Sequence, residues 1–281
     1  MHASWWNPRP AAHNIWRLKF NALPLALLVT WHVQGEGRAK VQVSIQSVHR
    51  PELHTVEAAV HLADEHVQIN DVTIGTAHTK GAIGDVRWDL RMTPLASPIR
   101  MGDDEGPARF LPLTTRLISL PAVRFEGELV YRGERWQGTA LGAAHHAWGH
   151  SLPSHWLWVH GSGCGDKRAG VEAVRVQQRL AGLPWPAWTM GYMWLRTGDQ
   201  ERLLMSPRHG HMSINGLPDQ FVLRVTPWHG TGYALYGRSH TRMWQKLGRG
   251  IINTLGGHVR IPGVLDCSNV ATIEWRNPPV S

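Results

Sequence analysis

The sequence predicts an all-β protein of two antiparallel barrels with few helices. Two observations carry that expectation. Short apolar–polar alternations recur along the 281 residues, and Gly or Pro residues separate them. Alternation with a period of two sends successive side chains to opposite faces of an extended strand. Many short strands broken by turn residues suit closed or curled antiparallel sheets. An apolar fraction of 42% against 18% charged residues supplies a core and excludes a disordered chain.

The elements follow in order. The apolar run from Ala22 to Val33 holds Pro24 and Thr30 and spans about a dozen residues, against about 20 for a membrane helix, so it reads as a buried strand. Val41, Val43 and Ile45 alternate with Gln42, Ser44 and Gln46. Val86, Trp88, Leu90 and Met92 alternate with Arg87, Asp89 and Arg91, the pattern of a half-buried strand. The stretch from Thr93 to Pro121, rich in proline and carrying Asp103-Asp104-Glu105, reads as a long irregular connection. Phe125–Tyr131 and Trp136–Ala140 flank the turn Arg132-Gly133-Glu134 and read as a hairpin. Further strands are expected at Trp156–His160, Val171–Val176, Phe221–Thr226, Gly232–Tyr236 and Val270–Trp275. One helix is expected, Thr241–Leu255, with Met243, Trp244, Leu247, Ile251 and Leu255 on one face and Gly248 and Gly250 against it. The strand count divides into barrels of residues 1–141 and 142–281, with the change-over near Gly142.

A net charge of +8 raises the question of nucleic acid or an anionic membrane surface. The Lys and Arg residues are spread without a dense run and no nucleic-acid motif occurs, so nucleic acid is not an expected partner. The basic face of the expected helix leaves room for transient contact with a membrane surface. Cys164 and Cys267 form neither a disulfide framework nor a CxxC metal site, so a reducing, cytoplasmic setting is expected. The aromatic inventory is lopsided, with 15 Trp against 4 Phe and 4 Tyr. Trp makes a broad, rigid wall whose π face can meet a polyene or a developing cation. A lined apolar cavity and a hydrophobic small-molecule ligand are therefore expected.

The most informative segment runs from Gly138 through His145, His146, Trp148, Gly149, Pro153, Trp156 and Trp158 to His160. It resembles the signature that opens the second barrel of tocopherol cyclases, in which a small-residue strand leads to an acidic position, Trp-Gly, a Pro and a Trp-x-Trp strand. Carotenoid 1,2-hydratases carry a related pattern. The resemblance implies a double calycin, two lipocalin-like barrels, whose members cyclise, hydrate or rearrange isoprenoid or polyketide substrates without metal or redox cofactor. Here the acidic position falls on His145. Imidazole suits proton transfer between heteroatoms near neutral pH, whereas protonating an alkene asks for a carboxylic acid in an apolar site. That departure disfavours hydration or cyclisation begun by alkene protonation, and favours isomerisation through an enol, oxygen-nucleophile addition to an activated alkene, dehydration or pericyclic closure. Glu172 and Asp266 are the other candidate acids.

The expected catalytic residues are His145 and His146, which a strand points to opposite faces. The expected substrate-binding residues are Trp88, Trp148, Trp156, Trp158, His160, Trp188, Tyr192 and Trp194. Trp188, Met190, Tyr192 and Trp194 would form one wall, next to the proline-rich corner Leu183–Pro186. His146 and His150 have the spacing of a helical zinc pair, but the segment reads as strand and loop, so no metal and no cofactor is expected. His209 and His211 read as a turn after Pro207. No phosphate loop or nucleophile elbow is present. The functional expectation is a cofactor-independent cyclase or isomerase of a hydrophobic isoprenoid or polyketide. A non-catalytic lipocalin-like carrier and a carotenoid-hydratase-like lyase are the alternatives.

Overall fold

The computed structural model describes residues 11–22, 25–34, 38–46, 51–59, 61–62, 66–102, 115–164, 169–178, 188–248 and 250–277. These residues form two curled antiparallel sheets, each closing into a barrel. The chain divides into two compact units, residues 1–48 with 52–152, and residues 49–51 with 153–281.

The first sheet contains β1 (His13–Ala22), β2 (Leu25–Gln34), β3 (Arg38–Gln46), β4 (Pro51–Ala59), β5 (His61–Leu62), β6 (His66–Ile69), β7 (Val72–Gly75), β8 (His78–Ile83), β9 (Val86–Pro94), β10 (Ile99–Met101), β11 (Thr115–Tyr131) and β12 (Glu134–Gly149). Their order is β4-β3-β2-β1-β12-β11-β9-β8-β7-β6-β5, with β10 beside β11. In β9 the expected alternation holds: Val86, Trp88, Leu90 and Met92 are buried, while Arg87, Asp89 and Arg91 are exposed. Val41, Val43 and Ile45 of β3 point into the same core as Trp16, Phe20 and Phe125. The hairpin β11–β12 closes on Arg132 and Gly133, with φ of 49° and 84°. Two successive positive φ values give a turn whose twist matches that of the strands it joins. At Gly142 an added Cβ would lie 1.8 Å from the backbone oxygen of Lys19, so only glycine lets β1 and β12 approach. β12 runs unbroken through Gly142, and the second compact unit begins at Pro153.

The second sheet contains β13 (His155–Ser162), β14 (Gly170–Gln178), β15 (Trp188–Thr197), β16 (Gln200–Ser206), β17 (Gly210–Leu217), β18 (Gln220–Pro227), β19 (Tyr233–Arg238), β20 (Gln245–Gly248), β21 (Ile251–Ile261) and β22 (Leu265–Arg276). Its order is β16-β15-β14-β13-β22-β21-β19-β18-β17, with β20 beside β21. Leu157, Val159, Ala173, Leu223, Val259 and Ile273 fill its core.

Three expectations are corrected. Thr241–Leu255 is not a helix: a 3-10 turn at Thr241–Met243 is followed by β20 and β21. Gly250, with φ of 72°, turns the chain, and β-branched Ile251, Ile252 and Thr254 favour strand on either side of Asn253. The Thr93–Pro121 connection is shorter than expected. β9 extends to Pro94, β10 occupies Ile99–Met101 and β11 starts at Thr115, while 103–114 lie outside the described residues. Cys164 and Cys267 are joined in a disulfide, with Cα atoms 4.5 Å apart and 103 residues between them in sequence. Strand pairing brings the cysteines together, which sequence spacing hides, and the argument from unpaired cysteines for a reducing setting falls away.

A bridge that closes so long a loop restricts the unfolded chain strongly. Reducing it, or replacing Cys267 by Ser, is expected to lower unfolding free energy by about 2–4 kcal/mol. Denaturant titration with and without reductant measures this, and thiol titration of the unreduced, denatured chain is expected to find no free thiol.

Candidate functional site

Strand β13 buries both faces: Leu157 and Val159 enter the core, while Trp156, Trp158 and His160 point the other way and are also buried. Ladder register carries this second face across the sheet. His160 stands opposite Glu172 of β14 and Thr272 of β22, and Glu172 stands opposite Trp194 of β15. One row along, Trp158 stands opposite Val174 and Glu274, Val174 opposite Tyr192, Glu274 opposite Asn253, and Asn253 opposite Gln245. Directly opposed side chains have Cβ atoms about 4.5–5.5 Å apart, so these residues form one continuous surface.

That surface combines aromatic rings with buried polar groups. His160, Glu172, Thr272, Glu274 and Asn253 are each fully buried. Burial of such groups is tolerated when they are hydrogen-bonded. The Tyr192 hydroxyl donates to Oε1 of Glu172. Trp156 donates its indole N–H to Oε1 of Glu274 at 2.8 Å. The Arg276 guanidinium lies over the Trp156 ring, 5.3 Å from its centre. The Trp158 and His160 rings are 6.4 Å apart. Trp194 donates to Glu201 at 3.4 Å.

β15 is extended, so Met190, Tyr192 and Trp194 share one face by backbone register. The side chain of Trp188 and the corner Leu183–Pro186 lie outside the described residues. Trp156, Trp158 and His160 join this face. The other expected residues lie in the first unit. His146 points into its core, stacked on Trp16 at 4.6 Å and 7°, 5.0 Å from Trp148, with Nε2 3.0 Å from Oδ1 of Asn14. His145 points to the opposite face, as alternation requires, in a row with Arg17 and Ser119. Trp88 sits in the same core and donates its N–H to Thr79 at 3.0 Å, a packing role.

Asp266 is excluded as a buried acid. Desolvation opposes its ionisation, but hydrogen bonds from Ser268 and His258, with the charges of His258 and Arg260, together outweigh it and hold its carboxyl below the usual aspartate range. It is exposed and ionised, the reverse of a poised proton donor. His209 receives the Met205 N–H at 3.1 Å in an ordinary turn. Among the described residues no three His, Cys, Asp or Glu side chains are grouped to hold a metal ion.

Sequence reasoning missed Glu274, Asn253, Thr272 and Gln245. Thr272 and Glu274 alternate with Ala271, Ile273 and Trp275, a pattern that reads as a solvent face. Asn253 and Gln245 were hidden within the expected helix.

No family model matches the chain, and no curated protein does. Solved structures do. A protein provisionally named AttH, from Nitrosomonas europaea, superposes with a TM-score of 0.68 at 13% identity, covering 94% of this chain and 92% of that one. Kievitone hydratase from Nectria haematococca gives 0.66 at 11% identity, covering 98% and 92%. A protein named CghA gives 0.58 at 9%, covering 95% and 88%. The fold is the double calycin. At such identities the likeness speaks for the architecture alone.

Two outcomes are expected. Glu274→Gln, which keeps an acceptor for Trp156, is expected to retain stability, whereas Glu274→Leu leaves a buried indole N–H unpaired and costs about 1–3 kcal/mol in denaturant unfolding. Asp266→Asn is expected to lower the melting temperature modestly at neutral pH. A depressed folded pKa contributes above the unfolded value of about 3.9 and is lost as pH falls through the folded one, so the difference from wild type should close in acid.

Proposed function

We propose that the chain is an acid–base enzyme of the lyase or cyclase type, acting on an apolar substrate at the β13–β14–β15 face, with Glu172 as the proton donor. One observation carries this: a fully buried carboxyl, oriented by the Tyr192 hydroxyl, lies in a row with His160 and Trp194 on an aromatic surface. The resemblance to hydratases and cyclases, and the fold shared with kievitone hydratase, support the reading.

The chemistry follows from the residues. The Glu172 O–H breaks as a C–H bond forms on a substrate double bond, leaving a cation and a carboxylate. The π faces of Trp158 and Trp194 stabilise that charge. An oxygen of the substrate, or water, then attacks the cation. The proton it releases returns to the carboxylate, directly or through His160, so the acid is regenerated. Attack by a substrate oxygen closes a ring and attack by water hydrates. Run in reverse, the second gives dehydration. A hydrophobic isoprenoid or polyketide suits the Trp wall. A carrier would use the same wall without turnover.

Native mass spectrometry of the purified protein identifies co-purified ligands as first substrates. Turnover in D₂O is expected to place one deuterium on product carbon in cyclisation or hydration, and on recovered substrate carbon where a dehydration reverses. Glu172→Gln, which keeps the shape and the Tyr192 partner, is expected to lower turnover by about 10²–10⁴-fold with the fold intact, as removal of a general acid does. Unchanged turnover in this variant ends the assignment. A wild type that binds its ligand and converts nothing makes it a carrier.

A further inference from the structure

At the far end of the same face three polar side chains are buried with no hydrogen-bond partner among the described residues. Both amide atoms of Asn253, both of Gln245, and the Thr272 hydroxyl are so placed. Asn253 and Thr272 are fully buried and Gln245 is 8% exposed. They are neighbours by register. Gln245 stands opposite Asn253 and Asn253 opposite Glu274, and Thr272 lies two residues along β22 from Glu274. Pleating points all three to the side that carries Trp158, His160 and Glu172.

A buried amide without a partner is disfavoured, and here five polar atoms share one neighbourhood. Apolar residues of similar size would pack there without that cost. Together they offer amide N–H donors, amide carbonyl acceptors and a hydroxyl that serves as either. A lone ketone would leave the two carbonyls unanswered, and an amine would leave the N–H groups. A hydroxyl beside a carbonyl, as in an enolised 1,3-diketone or a hydroxyketone, answers both.

We infer that Gln245, Asn253 and Thr272 form a polar cup for a hydroxyl–carbonyl pair on the substrate, which fixes the substrate class as an oxygenated, elongated apolar molecule. This rests on the proposed site on the same face. From β14, which carries Glu172, there are two interstrand steps of about 4.8 Å to Thr272 on β22 and three to Asn253 on β21, roughly 10 to 14 Å along the sheet. The molecule therefore spans an acid-labile end against Glu172 and an oxygenated end at the cup, with Trp158 along its middle.

The test compares dodecane-2,4-dione, an enolisable 1,3-diketone, with dodecane of the same chain length, both presented in cyclodextrin and titrated against tryptophan fluorescence. The full chain is expected to bind the diketone about tenfold or more tighter, the affinity equivalent of one or two net hydrogen bonds. Asn253→Leu is expected to abolish that preference, keep dodecane affinity, and leave the ligand-free melting temperature equal or higher, because a buried unpartnered amide is removed. If Asn253→Leu does not fold, Thr272→Val is the second variant and carries the same expectation. Equal affinities in the wild type, no binding of either compound, or a preference that survives the folded variant overturns the inference. The readout is binding at the cup and not proton transfer. Its failure thus leaves the Glu172 assignment standing, and an unaffected turnover in Glu172→Gln leaves the cup standing.

Discussion

Strand β13 has apolar core on one side and a second buried surface on the other, and the arrangement of the second unit follows from that double burial. A strand with one wet face can carry any polar residue there. A strand buried on both must pair every polar group that it or its neighbours bring inside, or leave it for a ligand. The Tyr192–Glu172 and Trp156–Glu274 bonds answer that demand. Asn253, Gln245 and Thr272 lie on the same face, with buried polar atoms that have no hydrogen-bond partner among the described residues.

Two acidic side chains in this unit show how surroundings set chemistry. Asp266 and Glu172 both stand on strands of one sheet. Asp266 is exposed, with His258 and Ser268 donating to it and Arg260 close enough to act on it, so it stays ionised. Glu172 is fully buried among aromatic rings, beside a tyrosine hydroxyl and opposite an imidazole. The same residue class thus meets solvent and donors at one place in the sheet and a dry, aromatic surface at another.

The segment that carries the resemblance spans both units. Its first part is β12, where small residues let β1 approach and His146 and Trp148 pack beside Trp16. Its second part is β13, which supplies Trp156, Trp158 and His160 to the buried face. Contiguity in sequence made the histidines and the tryptophans read as one site. In the fold His146 belongs to a core, stacked and hydrogen-bonded, while His160 belongs to the surface that holds Glu172.

The sequence by itself determined the strand content, because period-two alternation is a local consequence of backbone pleating and needs no partner to be read. It also determined the hairpin at Arg132-Gly133 and the shared face of Met190, Tyr192 and Trp194 on β15, both functions of neighbouring residues. It misread Thr241–Leu255, where a helical spacing of apolar residues competed with two glycines and β-branched neighbours and lost to pairing with β22. Only the tertiary structure decided which polar faces are dry. Thr272, Glu274 and Asn253 look like the wet side of ordinary strands until register sets them beside Trp158 and His160. The same register joins Cys164 to Cys267 across 103 residues and lines Glu172 up with Tyr192 and Trp194. Burial is a property of what packs against a strand, and alternation records only that the two faces differ.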